Sequence, residues 1–166
     1  MNFNIYALIT ASLVPMVLGF IYYHPKMMGT VWQKATGLSD EDLKKGNMLA
    51  IFGISLLMSF LLAVQMYPLT VHQMHFYSAL MNHENEMKTT GTAVYNLTEQ
   101  FKPYLNEFRT FKHGALHGFL AGVFFVLPIM ATNGMFERKS WRYILVNWLY
   151  WTICITIMGA IICGWQ

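Results

Sequence analysis

Charged side chains are scarce in this sequence. Only 11% of its 166 residues are Asp, Glu, Lys or Arg, against about 25% in soluble domains. A soluble protein of this length needs charge to cover its surface, and a lipid-facing surface does not. Cysteine is scarcer still. Cys154 and Cys163 lie in one apolar stretch, separated by about 13 Å of helical rise, too far for a disulfide, which needs Cα atoms within about 7 Å. They read as small packing residues, and they say nothing of redox compartment. No basic cluster stands out. The net charge of +3 is spread over several loops, which excludes a nucleic-acid binder and a polybasic lipid clamp. The opening MNFNIYALIT has no basic region, so the first apolar segment is expected to remain as a span rather than serve as a cleaved leader. Neither end carries a lipidation motif. No Ser/His/Asp or Cys/His set, no C-x-x-C and no H-E-x-x-H is present, so no catalytic residue is nominated and a non-enzymatic role is expected.

What is abundant is apolar length. Hydrophobic residues make up 55% of the chain. Four stretches, about 5–23, 48–67, 114–132 and 143–165, approach or exceed the roughly 20 residues that cross a hydrocarbon core. None contains Asp, Glu, Lys or Arg. Tyr22, Tyr23, Trp32, Trp141 and Tyr143 gather near one interface, and Tyr67, Phe76, Tyr77 and Trp165 near the other, as aromatic belts do. The predicted fold is therefore all-α: one domain, a four-transmembrane-helix bundle with a long extracytoplasmic loop, about 70–110, between helices two and three. Pro15 and Pro128 are expected to kink the first and third helices.

In the first loop, Pro25 is expected to start a short helix through Trp32 and Lys34, dipping Met27, Met28 and Trp32 into the headgroups. Ser39 reads as an N-cap, with Asp40, Glu41 and Asp42 against the helix dipole. The second helix is thus expected to begin in water near Asp40 and enter lipid at Met48. Lys26, Lys34, Lys44, Lys45, Arg138, Lys139 and Arg142 fall in loops one and three, and only Lys88, Lys102, Arg109 and Lys112 on the opposite side. The positive-inside rule then places loops one and three in the cytoplasm, and both termini outside.

Lipid gives helices little hydrophobic reason to associate, so small residues matter. Each span carries a stripe of them: Ala7, Ala11, Pro15 and Gly19; Ser55, Ser59 and Ala63; Gly114, Gly118 and Gly122; Thr152, Thr156, Gly159 and Cys163. Facing inward, these stripes make a tight bundle with little room for a pore or a large ligand. A homodimer seam is the competing use of the glycine stripe. The polar residues of the fourth helix, Asn147, Thr152 and Thr156, read as interhelical hydrogen-bonding groups.

Five of six histidines fall on the predicted outer side. His72 and His75 are three apart and His113 and His117 four apart, spacings that share a helix face. Imidazole is a common ligand for zinc, copper or iron, and Glu84 and Glu86 could add oxygens. The alternative is that His117 bonds a neighbouring helix while the others are solvated. No cofactor is expected outright, a metal ion or bis-histidine haem remaining the options.

The run Gly19-Phe20-Ile21-Tyr22-Tyr23-His24-Pro25 followed by Gly29 and Trp32, then Gly37-Leu38-Ser39 with acids after it, Thr132-Asn133 with Phe136-Glu137, and Met158-Gly159-Ala160 through Trp165 together resemble a family of small bacterial membrane proteins. It is known only as a domain of unknown function, number seventeen sixty-one. The resemblance covers most of the chain, with the 70–110 loop as an elaboration. It implies four spans in a bacterial inner membrane and lends no catalytic residue. The expected partners are the bilayer and either further copies of the chain or a larger membrane complex in which it is an accessory or assembly subunit. A small transporter or binding protein for a metal ion or apolar molecule is the alternative.

Overall fold

The computed structural model describes residues 4–166. Four helices have the length and hydropathy to cross a membrane: Ile5–Tyr22, Met48–Thr70, Phe111–Phe136 and Trp141–Gly164. No strand occurs among the described residues. The fold is the expected all-α bundle of four spans. All four spans are capped by side chains at their starts, the third by Thr110. Asn4 accepts from Ala7 N–H at 3.0 Å, Asn47 from Ala50 N–H at 3.1 Å and Ser140 from Tyr143 N–H at 3.2 Å, each satisfying a donor that the helix leaves orphaned.

The fourth span is the centre of the bundle, with 44% of its apolar window buried against 11% for the second. The third packs hardest against it, for a steric reason. A methyl group added at Gly114 would run into the Gly159 carbonyl, one at Gly118 into the Ile155 carbonyl, and one at Gly122 into the Thr152 side chain. The glycine stripe is thus filled from within the same chain. Ala7 and Ala11 are fully buried, and Gly19 faces the Tyr150 hydroxyl.

Three sequence expectations need correction. The second helix does not begin at Asp40. Asp40–Lys44 is a separate helix, and the chain restarts at Asn47, whose side chain caps a new one. The Ser39 cap itself is as expected. Its hydroxyl accepts from Asp42 N–H at 3.2 Å, and Asp42 returns the bond. That hydroxyl, with Lys45 behind it, holds the Asp42 carboxyl below its ordinary value. Second, Ser55 is exposed in an open groove beside the first span while Ser59 and Ala63 are buried. Residues 48–58 of the second span are all exposed, so the packing is tight around spans three and four but open between one and two. Third, the turn after the first span does not run as one regular helix through Trp32. Residues Pro25–Gly29 form a wide turn with Met27 out of helical range, and Thr30–Thr36 follows as helix. Gly29 sits against the Tyr23 carbonyl with no space for a Cβ.

Pro128 follows another wide turn, Gly122–Val126, in which the Gly122 carbonyl also accepts from Trp148 Nε1–H at 2.8 Å. A neighbouring span thus supplies bonding where the ladder loosens. At the same end as Trp32, Tyr23 donates to Asn147 Oδ1 at 2.9 Å and Tyr22 to the Val146 carbonyl at 2.9 Å. Asn147 therefore does make an interhelical bond, whereas Thr156 donates to the Thr152 carbonyl of its own helix and the Thr152 hydroxyl bonds no neighbouring helix among the described residues.

Candidate metal centre

The long connection is folded rather than slack. It contains helices Gln73–Ala79, Glu84–Lys88 and Ala93–Phe101, and its two ends are fixed to the bundle. The second span ends when Val71 turns extended, which places His72 just outside it. Gln73, only 3% exposed, donates from Nε2 to the carbonyls of Glu107 (2.8 Å) and Tyr104 (3.3 Å). Further along, Arg109 Nε–H donates to the Cys163 carbonyl at 2.8 Å. The Cys163 thiol donates in turn to Thr70 and Phe108 carbonyls. Thr110 then caps the third span by accepting from His113 N–H at 3.2 Å. Because His113 and His117 are one turn apart on that capped helix, their rings share a face.

These constraints converge three imidazoles. His72, His113 and His117 each offer a ring nitrogen, and those nitrogens all lie within 4.8 Å of one another. Ring centroids stand 4.9 Å apart for His72 and His113, 5.0 Å for His72 and His117, and 4.5 Å for His113 and His117. His72 Nε2 and His113 Nε2 are 2.8 Å apart, a hydrogen bond that requires one ring to donate and the other to accept. His72 is exposed and the other two half-buried. The Phe108 ring lies edge-on to His72 at 6.2 Å and tilted over His113 at 5.2 Å. Phe108 holds φ at 60°, a left-handed conformation uncommon for a bulky residue, and it is 62% exposed.

The donor set is all nitrogen. His75 is exposed and outside the group. The carboxylates are elsewhere too: Glu86 accepts from or pairs with His83 at 2.8 Å, and Glu84 pairs with Lys88 at 2.5 Å, which holds the Glu84 carboxyl below its ordinary value. Their site is the short surface helix, not the imidazole cluster. Sequence spacing located His113 and His117 as a pair. It missed Phe108, Gln73 and Arg109, for which it offers no periodic signal.

No curated protein and no solved structure matches the chain. A family model does, over residues 6–163, and its description is Protein of unknown function (DUF1761). The chain belongs to that family.

Proposed function

We propose that this is a non-enzymatic membrane protein that binds a transition-metal ion at His72, His113 and His117. The convergence of three imidazoles, one from the exit of the second span and two from the start of the third, is the observation that carries this reading. Three imidazoles suit Zn²⁺ or Cu²⁺. Nitrogens on a tetrahedral zinc stand about 3.3 Å apart, given Zn–N bonds near 2.0–2.1 Å. His72 and His113 would separate from 2.8 Å by a few tenths of an ångström, which an exposed His72 allows. A fourth position stays open for water or for a donor from a partner. The contact between the rings suits a small ion better than haem, whose two histidine ligands would lie on opposite faces of the macrocycle. By the distribution of Lys and Arg, the metal side faces away from the cytoplasm, and the resemblance implies that the membrane is a bacterial inner one.

The test is to purify the full chain in mild detergent and titrate it with Zn²⁺ by calorimetry. One ion per chain, lost in His113→Ala and His117→Ala, is the expected result. Unchanged binding in both variants overturns the reading.

A second reading, an accessory subunit of a larger assembly or a homo-oligomer, is favoured by Gln65. This amide lies within the second span, exposed, and makes no hydrogen bond within the described residues. An amide left in hydrocarbon is costly, and such groups bond across helix interfaces. Co-purification of a partner at fixed stoichiometry that Gln65→Leu abolishes is the supporting outcome; a monodisperse single chain in mild detergent counts against it.

A further inference from the structure

We infer that the groove between the first and second spans seats an acyl chain of an anionic phospholipid, with its phosphate at the His24–Lys34 rim. This site lies at the opposite end of the bundle from the histidines and does not depend on them. The groove arises because residues 48–58 leave the bundle. Its volume is about 670 Å³, within the roughly 300–1,000 Å³ of ordinary ligand clefts.

Its shape favours a chain over a compact solute. The walls are Met16 and Phe20 of the first span and Ile51 and Phe52 of the second, the latter two spans touching through Phe20 and Phe52 at 5.7 Å. Pro15 and Ser59 lie at the deep end, and His24, Pro25 and Trp32 at the mouth. From Pro15 to Tyr23 the first helix rises about 12 Å, so the groove runs from the headgroup level well into the hydrocarbon.

Charge at the mouth selects the headgroup. The segment 24–38 contributes Lys26 and Lys34 and no acid. Neither lysine takes part in an ion pair among the described residues, whereas Lys45, Lys88 and Lys102 each do. The nearest carboxylate along the chain, Asp40, accepts from Gln33 at 2.6 Å. Lys26 follows the mouth residue Pro25 in the chain and Lys34 lies on the short helix that carries Trp32, and their unpaired ammonium groups suit a phosphodiester without a compensating cation. Of the larger polar groups on the wall, Tyr23 is bonded to Asn147 and Tyr150 donates to the Pro15 carbonyl, so these ask nothing of a hydrocarbon tail.

The experiment is native mass spectrometry of the full chain, titrated with phosphatidylglycerol and with phosphatidylcholine of identical acyl chains. Wild type is expected to retain phosphatidylglycerol more tightly. Each of Lys26→Ala and Lys34→Ala is expected to cut that preference about fivefold, the effect of one lysine at an anionic surface. Ser55→Phe, a lipid-facing change that fills the groove, is expected to lower retention of both lipids. Equal retention of the two lipids by wild type overturns the inference, and so does a preference that survives both lysine variants or a groove filling that changes nothing.

Discussion

Gly114 and Gly159 meet backbone to backbone, each blocking the space where the other would carry a Cβ. That contact joins the third span to the fourth without side chains between them, and it sets what the seam tolerates.

A methyl group at Gly114 has nowhere to go but into a carbonyl. Gly114→Ala is expected to cost about 1–3 kcal/mol, the usual range for overpacking. Gly53 is the control, since a Cβ there meets nothing within 4 Å. Gly53→Ala should be neutral or stabilise by up to about 1 kcal/mol, the helix-propensity gain of alanine. Thermal unfolding of the two variants in the same detergent checks the difference in sign.

Binding of Zn²⁺ should depend on the residues brought together and not on those merely spaced like ligands. His72→Ala is expected to weaken it as His113→Ala does, while His75→Ala and His83→Ala leave it unchanged. Because protons compete with the ion for imidazole nitrogens, affinity should fall as pH is lowered. Calorimetry across pH reads both effects.

The Tyr23–Asn147 bond spans two helices. Asn147→Leu leaves the Tyr23 hydroxyl half-buried without its acceptor, a cost of about 1–3 kcal/mol. Adding Tyr23→Phe should recover part of it. A double-mutant cycle should give a coupling near 0.6 kcal/mol, the average for such bonds in membranes. Zero coupling would mean that the bond contributes nothing.

Gln73 ties residues 104 and 107 to the exit of the second span. Gln73→Ala should raise amide hydrogen exchange across 104–109 while leaving the spans protected. Zn²⁺ affinity should drop with it, since the same stretch positions Phe108 and the Thr110 cap.

Topology is checked at Ser140. The native thiols are both buried, so a Ser140→Cys variant gives a clean target for an impermeant maleimide. Labelling only after the cytoplasmic side is opened is expected; labelling of intact spheroplasts reverses the orientation.

The four spans were legible because hydrocarbon imposes a length and excludes charge, and both marks survive in a bare sequence. The glycine stripe was legible as a close-packing surface, yet spacing could not say which helix fills it. Its partner depended on how the fourth span enters the bundle. The splayed start of the second span left no trace at all. Ser55 shares a helix face with the inward Ser59, and what leaves it exposed is the gap between the first and second spans at that end. The histidines divided the same way. His113 and His117 are local neighbours, whereas His72 joins them from 41 residues away through a loop held by Gln73 and Arg109. Such long-range bonds carry no periodicity. His75 had the right spacing but lies on a helix that begins after His72, and the helix restart separates them.

The unequal burial of the spans bears on how the protein is made. The fourth span is the last of the four to be synthesised, and it is the one on which the other three close. Until it enters the bilayer, the glycine face of the third span has no surface to meet, whereas the first and second spans already share the cluster of Ala7, Leu8, Ala11, Ala63 and Met66. The first two spans can therefore pair early, through that cluster and the Tyr67 bond to the Asn4 carbonyl, while the third waits for the fourth. The bundle then closes in a single late event, and the loop bond from Arg109 to Cys163 forms only when that event is complete.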